Sequence, residues 1–169
     1  LSTPVWMNFG LDRGLPISCY GIDIQDDTMD ILRATAEIGA LTKMGGGTAG
    51  YFGKLRGRGA PIRNNGVSNG AVSFLLPFQT TTDVITQGQA RRGYFAAYLP
   101  VDHPDIEEFL HCREEGNVIQ NIALGVCIPD EWMEAVEAGD KDKRKILAKI
   151  HQKRAETGFP YIFFTGNVN

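Results

Sequence analysis

No stretch of this sequence approaches the ~20 apolar residues of a membrane-spanning helix. The opening residues, LSTPVWMNFG, lack the basic start and long apolar core of a secretion signal. Cysteine is scarce, with three in 169 residues (19, 112 and 127) and no CxxC spacing. The three histidines, at 103, 111 and 151, are too scattered for a zinc motif. These absences argue against a disulfide framework, and no metal ligand set is expected. Thiols without a secretion signal imply a reduced, cytoplasmic setting. Excess positive charge is missing too: the net charge is −3, so no global field draws the chain to a nucleic-acid polymer. There is no internal repeat and no low-complexity tract.

What is present is ordinary in bulk. A composition of 43% hydrophobic and 22% charged residues is that of a globular protein. The length suits one domain of ~100–200 residues. The chain starts with Leu1 and ends at Asn169, just after the apolar YIFF. An apolar strand at a terminus needs neighbours, so residues 1–169 are expected to be one partial domain of a larger protein.

The pattern reads as alternating strands and helices. Ser2, Thr3 and Pro4 open an extended segment with apolar Val5, Trp6 and Phe9, followed by a turn-rich connection over residues 10–16. Residues 17–24 read as a strand. Asp27 can cap a helix that begins at Thr28 and stops at Gly45. Residues 71–85 read as a second helix, in which Pro77 is tolerable in the first turn. Residues 94–99 are a strand and 105–113 a short helix. Residues 118–128 form a buried strand, 130–136 and 140–157 are helices, and 161–164 are the last strand. This order predicts an α/β fold with parallel strands.

Residues 41–70 concentrate the unusual chemistry. They hold nine of the 20 glycines, five of the 17 basic residues and no acidic residue. Glycine lets backbone approach a ligand, and fixed cations beside it suit an anion. Glycines 45, 47 and 50 match GxGxxG, but a dinucleotide fold needs that motif between a strand and a helix. Here it follows a helix, so it is rejected. A phosphate-binding loop also fails, because Leu55 follows Gly53-Lys54 where Ser or Thr is required. A strand cysteine such as Cys19 is most simply a small buried hydrophobe, as are Cys112 and Cys127. Asp27 serves as the cap, which leaves Asp26 spare to accept from a sugar hydroxyl. Arg91 and Arg92, between Gly88 and Gly93, are solvated loop charges or part of a ligand loop.

The pieces together resemble the large, catalytic subunit of class I ribonucleotide reductase. The matching residues are Ser2-Thr3-Pro4, Ser18-Cys19, Asp26, the glycine-rich run, and Arg56 with Gly59-Ala60-Pro61-Ile62-Arg63. They continue through Asn65 to Gly70, Gln87-Gly88 to Gly93 leading into Tyr94 to Leu99, and Ile128-Pro129-Asp130. The resemblance implies a ten-stranded α/β barrel of two five-stranded halves, with this chain as about the first half. It implies that Thr3 and Ser18 hydrogen-bond a ribonucleoside diphosphate, with the backbone at Gly46 and Gly47 against its ribose. Cys19 would be one of two reducing thiols.

The resemblance also implies an allosteric dNTP or ATP site at a homodimer contact. Asp26 would hold the effector's sugar and Arg56 its phosphates, with Arg63 and Asn65 in a surrounding loop. Gln87 would open the segment that relays effector identity, and Arg91 would reach the substrate. The remaining partners implied are the other barrel half, a metal-containing radical-generating small subunit and a thioredoxin- or glutaredoxin-like reductant. No cofactor is implied on this segment itself. The radical-bearing Asn-x-Cys-x-Glu pattern is absent, so this polypeptide alone is expected to be inactive. The competing readings are a non-catalytic nucleotide-binding module and a glycyl-radical barrel enzyme. Asp26, Arg56 and residues 87–93 favour the reductase over the latter.

Overall fold

In a computed structural model, residues 3–12, 14–64, 66–85 and 93–168 are described. Five strands, β1 (Cys19–Asp23), β2 (Gly47–Tyr51), β3 (Phe95–Pro100), β4 (Ala123–Ile128) and β5 (Tyr161–Phe164), form one sheet in the order β1-β2-β3-β4-β5. Every neighbouring pair is parallel. The first and last strands do not pair with each other, so the sheet is an open, partial α/β barrel.

The helices are α1 (Thr3–Asn8), α2 (Thr28–Lys43), α3 (Leu75–Val84), α4 (Ile106–Leu110), α5 (Asp130–Glu137) and α6 (Lys141–Thr157). Asp27 caps α2 as its position predicts, accepting from the backbone amides of Met29 and Asp30 at 2.9 and 3.0 Å. Asp140 does the same for α6, and Gly158, at φ 80°, ends it in the left-handed conformation. Pro77 falls in the first turn of α3, where its missing amide costs nothing.

Three expectations are corrected. The strand expected over residues 118–128 begins only at Ala123, and Val118 is exposed. The segment after Ser2 is helical rather than extended: Pro4 sits in the first turn of α1, where a fixed φ suits a helix start. Residues 47–51, expected to be part of a glycine-rich, hairpin-like segment, are a parallel strand lying between β1 and β3. Glycine is selected there for size. A Cβ on Gly50 would lie 2.9 Å from both Ile24 Cδ1 and Phe95 Cζ.

One face of the sheet carries the core. Phe95, Ala97 and Leu99 of β3 are fully buried, and Phe52, Phe78 and Phe95 pack together with ring centroids 5.0–6.1 Å apart. The six residues of β4 are all buried. The opposite face is open and layered by register. Gly21, Ala49, Ala96 and Ala123 form one row of small residues across four strands. Asp23, Tyr51, Tyr98, Gly125 and Tyr161 form the next, larger row. Small side chains beside aromatic ones leave a hollow in the open face. Among the described residues, no helix is long and apolar enough to cross a membrane.

Candidate functional site

The hollow is larger toward the amino-terminal ends of the strands than toward their carboxyl ends, where its volume is about 400 Å³. At the amino-terminal ends a cavity of about 500 Å³ is lined by Ser18, Cys19, Gly21, Gly47, Ala49, Tyr94 and Tyr98, among others. Cys19 is the first residue of β1 and is exposed, whereas Cys112 and Cys127 are buried. The Ser18 hydroxyl lies 3.6 Å from Cys19 Sγ. The Gly47 amide donates to the Ser18 carbonyl at 2.6 Å, which fixes the backbone at the mouth of the cavity. Burial pushes the Tyr94 and Tyr98 phenols above their ordinary value, so they stay neutral hydrogen-bonding groups at neutral pH. Burial likewise pushes the Cys112 thiol up to about 12, which removes it from nucleophilic chemistry. The strand therefore presents its thiol to the cavity, against the simple reading of Cys19 as a buried hydrophobe.

A second pocket of about 330 Å³ lies beyond the carboxyl end of β1. Its lining includes Asp26, Thr28, Arg56, Ile62, Ser68 and Phe74. Asp26 and Arg56, thirty residues apart, form an ion pair: Nε donates to Oδ2 at 2.6 Å and the Arg56 amide donates to Oδ1 at 3.3 Å. Arg56 Nη1 also donates to the Pro61 carbonyl at 3.2 Å. Both side chains remain about a third exposed, so water screens the pair and it adds little stability. A guanidinium has five N–H donors, and among the described residues only Nε and Nη1 are engaged. The arrangement holds a cation with spare donors beside a carboxylate, with apolar Ile62 and Phe74 nearby. That combination suits an anion attached to a flat, partly apolar group.

Comparisons with known proteins identify the family. The family described as "Ribonucleotide reductase, barrel domain" matches residues 17–143. The chain belongs to the ribonucleotide reductase family. The class Id ribonucleotide reductase alpha subunit of Actinobacillus ureae is similar over 99% of this chain, with 48% identity and a TM-score of 0.90, and the chain covers 30% of it. The putative ribonucleoside-diphosphate reductase large subunit of Frog virus 3 is 33% identical over 92% of the chain, which covers 30% of that protein. The Bacillus subtilis ribonucleoside-diphosphate reductase subunit alpha is 29% identical over 99% of the chain. The chain thus spans about 30% of the length of these three reductase subunits. These likenesses make it part of the barrel domain of a class I large subunit.

Of the reductase residues expected from sequence, Ser18, Cys19 and Gly47 line one cavity, and Asp26 and Arg56 line the other. Gly46 is buried behind the first cavity, where a Cβ would lie 2.7 Å from the Tyr20 ring. Thr3 opens α1 and lines neither cavity, and Arg63 is exposed outside both. Asn65, Gln87, Arg91 and Arg92 lie outside the described residues. Sequence reasoning missed Tyr94, Tyr98, Ser68 and Phe74. The two tyrosines were visible as strand alternation, but which face they served required the sheet register.

Proposed function

We propose that this segment supplies the substrate-facing thiol and the allosteric pocket of a ribonucleoside-diphosphate reductase. The observation that carries the reading is Cys19, exposed at the start of a core-backed strand and facing a cavity with Ser18 and Gly47. In the overall reaction the 2′-hydroxyl of the ribose leaves as water and hydrogen takes its place. Two thiols, Cys19 and one outside this segment, lose two electrons and two protons and become a disulfide. A dithiol reductant of the thioredoxin or glutaredoxin kind restores them by exchange. The radical that starts the reaction comes from a metal-containing partner subunit.

Holding the thiol on a strand rather than a loop supports near-attack geometry. Ser18 and the neutral phenols give the cavity hydrogen-bonding groups for ribose hydroxyls. The pocket at Asp26 and Arg56 binds a deoxynucleoside triphosphate or ATP, the sugar hydroxyl on the carboxylate and the phosphates on the guanidinium. The spare donors of Arg56 and the weak Asp26 pair support that reading, since the pair opens at little cost.

The test is Cys19→Ser in the complete large subunit, assayed with its radical partner and a dithiol reductant. Turnover is expected to fall to background, because serine keeps the size and loses the redox step. Multiple turnovers by the variant would overturn the role of Cys19. For the second pocket, Arg56→Ala is expected to weaken binding of a nucleoside triphosphate about tenfold or more, and unchanged binding would overturn the effector site.

A further inference from the structure

We infer that the turn His103-Pro104-Asp105 is the positioning device for Arg56. The inference rests on reading the second pocket as the effector site. The turn follows β3, far from Arg56 in sequence, yet it holds the backbone on both sides of that arginine. His103 Nε2 lies 2.7 Å from the Leu55 carbonyl, and Asp105 Oδ1 accepts from the Arg58 amide at 2.8 Å. Asp105 Oδ2 accepts from the Ala71 amide at 2.7 Å, which closes the far end of the same loop.

The histidine tautomer follows from the contacts. Nδ1 sits 3.0 Å from the Asp105 amide, which can only donate, so Nδ1 accepts. Nε2 therefore carries the proton and donates to Leu55. Both side chains are buried, His103 at 6% and Asp105 at 5% relative exposure. A buried amide without a partner is costly, so no apolar residue serves at 105.

The loop is shaped to receive this turn. A Cβ on Gly57 would lie 2.7 Å from Pro104 Cβ, and one on Gly70 would lie 2.7 Å from Asp105 Oδ2. Arg58 adds a two-point contact to Glu108 of α4, at 2.8 and 2.6 Å. Leu55 and Arg58 are thus tied down while the Arg56 side chain, between them, stays at the rim of the pocket. A long side chain on a loop reaches a phosphate reproducibly only if its backbone is fixed, and fixing it beforehand lowers the ordering cost of binding. The turn thereby sets the affinity of the pocket without touching the ligand.

Equilibrium binding of dTTP to the complete large subunit tests this. His103→Ala is expected to weaken dTTP about tenfold, the scale of one net hydrogen bond in a buried setting. His103→Gln, whose amide can still donate to Leu55, is expected to recover most of the loss. Asp105→Asn, which turns one acceptor toward an amide as a donor, is expected to weaken binding several-fold and carries the test if His103→Ala does not fold. Because the turn acts through Arg56, His103→Ala on an Arg56→Ala background should add no further loss.

Unchanged affinity in both His103→Ala and Asp105→Asn would overturn the proposal. So would a full additive loss in the double variant, which would mark a general structural effect. If Arg56→Ala weakens dTTP while the turn variants do not, only the turn's role fails. If Arg56→Ala itself leaves binding unchanged, the effector reading fails and the positioning role fails with it.

Discussion

Strand β2 and the loop that follows it are built from the same glycine-rich stretch, but they use glycine for different reasons. At Gly46 and Gly50, just before and within β2, glycine is small. A Cβ on Gly50 would strike Ile24 and Phe95, and one on Gly46 would strike the Tyr20 ring. In the loop, Gly53 and Gly57 are small in the same way, but glycine is also bent. Gly59 and Gly66 have φ of 81° and 85°, with nothing within 4 Å of an added Cβ. Gly70 belongs to both kinds, with φ 83° and Asp105 Oδ2 at 2.7 Å. The first use lets a strand pack tightly behind the hollow of the open face. The second lets a chain turn around the pocket that Asp26 and Arg56 line. A count of glycines cannot separate them, although their sensitivities to substitution can.

The separation can be broken by measuring urea unfolding midpoints of the complete subunit's barrel. Gly50→Val is expected to be the most costly, at about 3 kcal/mol or more, because a branched side chain has no room between Ile24 and Phe95. Gly70→Ala should cost about 2 kcal/mol, combining a strained φ with the crowding of Asp105. Gly59→Ala should cost about 1 kcal/mol, from backbone conformation alone. The smallest effect belongs to Asn64, a non-glycine residue at φ 57°. Asn already tolerates that region, so Asn64→Gly should change stability by less than about 0.5 kcal/mol. A Gly59→Ala loss equal to that of Gly50→Val would mean the loop is as tightly packed as the strand, and the distinction would collapse.

Much of the fold was legible because it depends on local chemistry. Asp27 precedes an apolar-periodic run, Gly158 follows one, and residues 161–164 and 95–100 carry strand-forming side chains; each element appeared near where its residues put it. Strand β2 was not legible. Gly-Thr-Ala-Gly-Tyr has only Thr48 as a strand former before its last residue, and it is a strand because β1 and β3 flank it. Pro4 misled in the other direction, since it suits a helix start as well as an extended chain. The candidate site divides along the same line. Asp26 could be singled out because Asp27 already had a use, but its contact with Arg56 depends on tertiary structure. His103 and Asp105 gave no signal, since a buried His–Asp turn looks in sequence like any turn before a short helix.

The sheet's strand order has a consequence for biosynthesis. Every strand after β1 lies beside the one made just before it, so each pairing within this sheet joins consecutive strands. Each newly emerged strand meets an edge already assembled, and the long interval between β2 and β3, residues 52–94, raises the closure cost only logarithmically. A chain arranged this way can acquire structure from its amino-terminal side while the ribosome is still adding residues at ~5–20 per second. The edge left open at each stage is a parallel strand with unpaired amides and carbonyls, a template for any extended chain nearby. Translation pauses before β3 or β5 would therefore prolong the interval in which nascent chains can pair with one another.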